Sequence, residues 1–160
     1  MREVPLTIGD RRKRAVVDTV RSILEAKGHE VWSIAPDATV YDAIDEMART
    51  GVGALLVLWG REIAGIISER DYARKVILQG KSSKETLVRE IMTPSPLVTV
   101  TPEQTVDDCL RLVTVRRVRH LPVLDGGELQ GMVSIGDLVK TIISSQAYTI
   151  DQLQTYIAGS

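Results

Sequence analysis

The sequence predicts an α+β fold of the sandwich type: two β-α-β-β-α repeats packed sheet to sheet as a pseudo-twofold pair, with an extra helix at each terminus. An internal repeat, the order of the apolar runs within it and an ordinary globular composition support this prediction. When the 160-residue chain is aligned with itself so that Pro36 meets Pro102, positions 36–77 match positions 102–143 without a gap, and fourteen of the 42 pairs are identical. Such self-similarity indicates two copies of one small unit, and pairing with its twin would bury much of each copy's sheet face.

Each repeat opens with a short extended segment, Val31–Ile34 or Leu97–Val100, that leads into a helix. We expect these helices to begin at Thr39 and Thr105, because each threonine is followed three residues later by an aspartate, as in a capping box. The apolar residues that follow recur at helical spacing and form one stripe on each helix.

Two β-rich runs follow in each repeat, and their connections are hairpin signals. In the first copy Trp59-Gly60-Arg61 separates the runs, and in the second copy Asp125-Gly126-Gly127 does so. A last helix is expected to begin near Arg70 in the first repeat and near Gly136 in the second.

Three further segments lie outside the repeats. The apolar spacing predicts a helix over residues 10–27, a polar linker over 80–96 with a helical turn around Leu87–Met92, and a terminal helix after Ser145. The predicted organisation is an N-terminal helix (1–28), repeat 1 (29–80), a linker (81–96), repeat 2 (97–146) and a C-terminal helical tail (147–160).

Charge and cysteine content exclude several classes of protein. The chain has 20 Lys and Arg against 21 Asp and Glu, a net charge of −1, whereas general nucleic-acid binders carry a basic excess. The basic runs Arg11–Arg14 and Arg116–His120 lack interleaved aromatics, so nucleic acid is disfavoured as a partner. We predict a cytoplasmic protein with no membrane contact, because the single cysteine allows no intrachain disulfide and no apolar run is long enough to cross a bilayer.

Catalysis has little support in the sequence. One cysteine and two histidines supply neither a metal cage nor a nucleophile with its base, and no phosphate-binding glycine loop of the familiar spacings is present. We predict that Cys109 is a half-buried packing residue, that no metal is required and that the chain is not an enzyme.

Four strings carry a resemblance to a known family. They are Gly65-Ile-Ile-Ser68-Glu-Arg-Asp71, Ile91-Met92-Thr93-Pro94, Arg119-His120-Leu121-Pro122-Val123 and Gly131-Met-Val-Ser134-Ile-Gly-Asp137. In this order and at this repeat spacing, residues 29–146 resemble a tandem pair of cystathionine-β-synthase (CBS) domains, or Bateman module, as in stand-alone CBS-domain proteins. The resemblance implies a regulatory module that binds adenine nucleotides in clefts between the two copies and commonly dimerises.

The first predicted cleft is centred on Ser68 and Asp71. An ionised carboxylate accepts hydrogen bonds only, so Asp71 can receive both vicinal hydroxyls of a ribose, and Ser68 can bond a ribose or phosphate oxygen. By itself the Ser-x-x-Asp spacing is equally a capping box, and one residue pair can serve both roles. The resemblance adds the remaining candidates: Ile66, Arg70, Thr93, Pro94, Leu97 and Val98.

The second predicted cleft is centred on Ser134 and Asp137, with Arg119 and His120 as phosphate-binding bases by resemblance. Lys27 stands where the first cleft has Thr93, which departs from the family's threonine. The other candidates are Val31, Trp32, Ser33, Met132 and Gly136.

AMP is the minimal ligand that fits these residues, with ADP, ATP and NAD left open, because the cationic residues favour a phosphate-bearing ligand. The predicted partners are a second copy of the chain, as a homodimer, and an effector protein in trans. The alternative function is a dimerisation or docking module whose clefts stay empty.

Overall fold

A computed structural model of the chain describes residues 18–159, which form two compact units. Unit 2 is residues 30–97, whereas unit 1 joins residues 18–29 to residues 98–159. Each unit contains one of the predicted repeats, and the α+β class is confirmed. The N-terminal helix therefore belongs with the second repeat, and the segment predicted as a linker belongs with the first.

Unit 2 is built on a four-stranded mixed sheet in the order β1 (Ser33–Ile34), β2 (Ala54–Trp59), β3 (Glu62–Ser68) and β4 (Thr93–Pro94). Strand β1 runs parallel to β2, and both other pairings are antiparallel. Its other elements are α2 (Val40–Thr50), α3 (Glu69–Tyr72), a π-helix (Ala73–Ile77) and α4 (Val88–Ile91).

Unit 1 repeats this arrangement with a smaller sheet. The strands β5 (His120–Asp125) and β6 (Glu128–Ser134) form a two-stranded antiparallel hairpin. Val100 adds one parallel bridge to Val123, as β1 does to Val57 in unit 2. Its other elements are α1 (Val20–Lys27), α5 (Val106–Val115) and α6 (Ile135–Gly159).

The predicted helix starts and turns are found where the sequence puts them. Thr39 and Thr105 accept hydrogen bonds from the backbone N–H groups of Asp42 and Asp108, and in the second case the aspartate accepts a bond from the threonine N–H in return. Both hairpin loops use left-handed glycines, which tolerate this conformation because they lack a Cβ. The positions of these turns fix the register of both hairpins.

Each unit has its own apolar core, formed where the helix stripe packs on the hairpin. In unit 1, α1 contributes Leu24, which is almost fully buried, and Cys109 is completely buried rather than half-buried as predicted. Burial raises the pKa of the Cys109 thiol to about 11, which is consistent with a packing role. The unit 2 core is led by Met47, Leu55 and Ile67.

The structure differs from the sequence predictions at several places. The tail after Ser145 is not a separate helix, because α6 continues without a break from Ile135 to Gly159. The extended segment Leu97–Val100 makes only the single bridge at Val100, and β4 lies in the segment predicted as a polar linker. Residues 10–17 of the predicted N-terminal helix lie outside the described residues, and the described part of this helix begins only at Val20, after its N-cap Thr19. No helix between residues 18 and 159 is long and apolar enough to span a membrane.

Candidate functional site

The first candidate site lies in unit 2, where β3 ends at Ser68. Ser68 is the N-cap of α3 and Asp71 closes its capping box, and we call an aspartate held in this way a capped aspartate. Ser68 Oγ accepts a hydrogen bond from the Asp71 N–H at 3.2 Å, and Asp71 Oδ2 accepts from the Ser68 N–H at 3.0 Å and from Ser68 Oγ at 3.1 Å. The predicted capping box at α3 is therefore confirmed. The Asp71 side chain keeps 13% of its surface exposed, so a ligand can reach the carboxylate.

A lysine that the sequence analysis did not single out completes this cluster. Lys75 lies four residues after Asp71, in the π-helix, and its Nζ is 3.1 Å from Asp71 Oδ1. The same Nζ donates to the carbonyl of Ile91 at 2.9 Å, so it joins the helix end to α4. The i,i+4 spacing of an aspartate and a lysine on a helix is a signal that could have identified the pair.

The strand pair β3-β4 brings further predicted residues next to Ser68. Ile66 pairs with Thr93, and Gly65 pairs with Pro94. Arg70 is exposed on α3, one residue before Asp71. Leu97 ends unit 2, whereas Val98 belongs to unit 1 and packs on its core. Unit 2 thus unites seven of the eight residues predicted for the first cleft.

The second candidate site, in unit 1, is the matching aspartate at the end of β6. Asp137 Oδ2 accepts from the Ser134 N–H at 2.8 Å, and the Asp137 N–H donates to Ser134 Oγ at 3.2 Å. This box opens α6 in the way that Ser68 and Asp71 open α3. The Asp137 side chain is 21% exposed.

Lys27, at the end of α1, holds this aspartate from a distant part of the chain. Its Nζ lies 2.7 Å from Asp137 Oδ2 and donates to the carbonyl of Met132 at 2.9 Å. Burial opposes ionisation of Asp137, but the hydrogen bonds from Lys27 and Ser134 outweigh it and lower the pKa of this carboxyl. The sequence analysis noted Lys27 only because it stands in place of the family's threonine. It did not predict the ion pair with Asp137, because the two residues are 110 positions apart.

The two predicted phosphate-binding bases differ in character. Arg119 is exposed, and its carbonyl accepts from the N–H of Ile135 at 2.9 Å, which places it beside the start of α6. His120 is half-buried and pairs with Ser134 across the hairpin. Burial lowers the pKa of His120 despite the opposing charge of Asp137, so at neutral pH it offers a neutral ring rather than a cation.

The remaining residues of the second predicted cleft fall in both units. Met132 and Gly136 flank Ser134 in unit 1. The three residues expected to close the cleft, Val31, Trp32 and Ser33, belong to unit 2, where the Trp32 carbonyl accepts from the Leu56 N–H at 3.1 Å. Unit 1 therefore brings together Arg119, His120, Met132, Ser134, Gly136 and Asp137, without these three.

A groove of about 640 Å³ runs between α1 and α6 in unit 1, and Lys27 and Asp137 lie on its wall. This volume is in the range of small-molecule sites. Sequence reasoning did not predict the groove, because its lining comes from helices at opposite ends of the chain. The other lining residues are Asp18, Ser22, Ile23, Ala26, Lys140, Thr141, Ser144, Ser145 and Tyr148.

Both sites can recognise hydroxyl and anionic groups, since each combines a carboxylate with an ammonium. Asp137 Oδ1 accepts no hydrogen bond from residues 18–159, so it can receive a ligand hydroxyl. Within the same range no cluster of three or more histidine, cysteine or acidic side chains is arranged to hold a metal.

Comparisons with known proteins identify one family. The family model of the CBS domain matches residues 20–77 and 88–144. The CBS domain-containing protein CBSX3, mitochondrial, of Arabidopsis thaliana is 43% identical over 150 residues, which cover 88% of this chain and 72% of that protein. A solved protein with CBS domains from Burkholderia ambifaria MC40-6 is 54% identical with a TM-score of 0.77, over 80% of this chain and 96% of that one.

A more distant structure shares the fold alone. The CBS domain protein PAE2072 from Pyrobaculum aerophilum, solved in complex with AMP, is 23% identical with a TM-score of 0.65 over 74% of this chain and 88% of that one. The repeated hairpin with its capped aspartate, the family match to both repeats and the identity to CBSX3 lead to one conclusion: this chain belongs to the CBS-domain family and carries two CBS domains.

Proposed function

We propose that the chain is a regulatory, non-catalytic module that binds a phosphate-bearing adenine nucleotide, with AMP as the smallest ligand that fits. The observation that carries the proposal is the capped, lysine-paired aspartate at the end of the hairpin in each unit, Asp71 and Asp137. Each carboxylate is only partly exposed yet reachable, as a ribose-binding group must be.

The ribose and the phosphate of such a ligand each have a chemical counterpart in the candidate sites. Ribose hydroxyls donate to the aspartates, which are acceptors only. Phosphate oxygens are matched by the exposed guanidinium groups of Arg70 and Arg119 and by the hydroxyl of Thr93. The AMP bound to the distant relative PAE2072 supports extending the same class of ligand to this chain.

A thermal-shift panel of AMP, ADP, ATP, NAD⁺, NADH, adenosine and S-adenosylmethionine tests the proposal, on protein freed of copurified nucleotide by unfolding and refolding. At about 100 times its Kd, a ligand stabilises the folded state by roughly 2.7 kcal/mol for each site that it occupies, which raises the Tm of a chain this size by about 5–10 °C per site. We expect such a shift with at least one of the phosphate-bearing adenine compounds and a smaller one with adenosine. A panel with no shift at any concentration would contradict the proposal.

Homodimerisation is part of the proposal, and an apolar stripe on α6 supports it. Val139, Ile143, Ile150, Leu153 and Ile157 recur three, four or seven residues apart, and each side chain is at least 46% exposed. The same stripe favours the alternative function, a docking module whose clefts stay empty. Sedimentation equilibrium is expected to give a dimer, and a monomer at high concentration would contradict this part.

The output of the module is proposed to act on an effector protein in trans. The compartment stays a prediction: a reducing one such as the cytoplasm, in which the buried Cys109 remains a thiol.

A further inference from the structure

The two candidate aspartates are neutralised by lysines that come from different parts of the fold. Asp71 is paired with Lys75, four residues later in the π-helix that follows α3, at 3.1 Å. Asp137 is paired with Lys27, on the N-terminal helix, at 2.7 Å. In both pairs the ammonium also donates to a backbone carbonyl at 2.9 Å, that of Ile91 in unit 2 and that of Met132 in unit 1.

The alignment of the two repeats relates these lysines to threonines. In the register that places Asp71 on Asp137, Lys27 corresponds to Thr93, and Lys75 corresponds to Thr141. Unit 1 therefore has Lys27 and Thr141 where unit 2 has Thr93 and Lys75. The lysine and the threonine have exchanged positions, and each unit keeps one of each.

The local structure shows how the exchange is accommodated. In unit 2, Thr93 lies in β4 and pairs with Ile66, so the edge of β3 is covered by backbone. In unit 1, Lys27 ends the helix α1, and its ammonium donates to the carbonyl of Met132, the repeat equivalent of Ile66. Thr141 lies four residues after Asp137, and its hydroxyl donates to the Asp137 carbonyl at 2.9 Å.

The charge balance explains what the lysine adds. An unpaired carboxylate that binds ribose would repel a phosphate attached to that ribose, whereas a carboxylate with an ammonium at hydrogen-bond distance presents no net charge. The Lys27 ammonium has three donors, of which Met132 and Asp137 take two, so the third can face an anionic ligand group. Lys27 lies on the wall of the α1–α6 groove, where Lys140 adds a second cation.

We propose that the pairs Lys27–Asp137 and Lys75–Asp71 select phosphorylated over unphosphorylated ligands. Because each unit keeps one such lysine, at position 27 or at position 75, both sites of the chain bind the ligand. The inference rests on the proposed function and adds the specificity-determining residues and the number of sites. Lys27 is therefore a substitute for the missing lysine at position 141 rather than a defect of the second site.

Moving the lysine tests this directly. In an Asp71→Ala background, which disables the site in unit 2, the affinities for AMP and adenosine are measured by calorimetry in protein with Lys27, with Lys27→Thr and with Lys27→Thr/Thr141→Lys. We expect Lys27→Thr to weaken AMP by roughly 10- to 150-fold, the value of a hydrogen bond to a charged group, and to leave adenosine nearly unchanged. Thr141→Lys restores the spacing that Lys75 has to Asp71, so the double variant is expected to recover most of the AMP affinity.

A purely structural role of Lys27 would not be rescued from position 141, so a double variant as weak as the single one overturns the inference. An unchanged ratio of AMP to adenosine affinity in Lys27→Thr overturns it too. Lys140→Met is the matched control: it removes one charge from the same groove but leaves the aspartate pair intact, and we expect a smaller loss than in Lys27→Thr.

A measurement made without ligand distinguishes failure of this inference from failure of the proposed function. Carbon NMR of the Asp137 carboxyl is expected to show a higher pKa in Lys27→Thr and a return toward the original value in the double variant. If these titrations behave as expected and no adenine compound binds, the exchange of the lysine is supported but the proposed function and its phosphate selectivity are wrong.

Discussion

Asp71→Ala and Asp137→Ala together are expected to remove nearly all of the thermal shift that AMP produces. Each substitution deletes the acceptor for the ribose hydroxyls in its site, and hydrogen bonds to a charged group are worth roughly 10- to 150-fold in affinity. At a concentration of about 100 times the original Kd, a 100-fold weaker ligand stabilises by only about 0.4 kcal/mol per site, so the contribution of each site to the shift falls from about 5–10 °C to about 1 °C.

A matched control separates ligand binding from helix capping. Asp71 and Asp137 also close capping boxes, so their loss lowers stability by about 1 kcal/mol each without any ligand. Asp108 closes the same kind of box on α5, where its Oδ2 accepts from the Thr105 N–H at 3.1 Å. Asp108→Ala is expected to lower the Tm similarly and to leave the AMP shift intact. If Asp108→Ala abolishes the AMP shift as well, the aspartates act through capping alone and the site assignment is wrong.

Gly65→Ala is expected to destabilise the chain by about 3 kcal/mol, and its repeat equivalent Gly131→Ala by only about 1 kcal/mol. A Cβ on Gly65 would lie 2.4 Å from the carbonyl oxygen of Thr93, which is backbone held in β4, and 2.9 Å from Met92 Sδ. A Cβ on Gly131 would lie 2.8 Å from the tip of the Leu24 side chain, which can shift more readily than backbone held in a strand.

Urea denaturation of the two variants measures the difference between their unfolding free energies. Because both glycines occupy the same position of the same hairpin, the intrinsic effect of adding a methyl group cancels in the comparison. Equal losses would show that β4 does not constrain Gly65 and would contradict the close packing of Thr93 against the first site.

The repeat made most of the fold predictable from the sequence. Two copies in one register show the same order of helix and hairpin, and the glycines at 60, 126 and 127 mark the turns. The capped aspartates were predictable too, because a capping box is local and its two members lie three residues apart.

The features that could not be predicted from the sequence depend on contacts between distant residues or on very short elements. Strand β4 has two residues, one of them proline, and such an edge strand has no periodicity to detect. Lys27 reaches Asp137 across 110 positions, so only the folded chain shows that a lysine replaces the absent one. The terminal helix predicted after Ser145 is instead the continuation of α6, whose apolar stripe is exposed.

Calorimetric titration of nucleotide-free protein with AMP tests the central claim most directly, because it counts the sites as well as detecting binding. Two capped, lysine-paired aspartates predict two molecules of AMP per chain, falling to one in either single aspartate variant. Titrations with AMP, ADP, ATP and NAD⁺ that all show no binding would contradict the account and leave a docking role for the CBS pair.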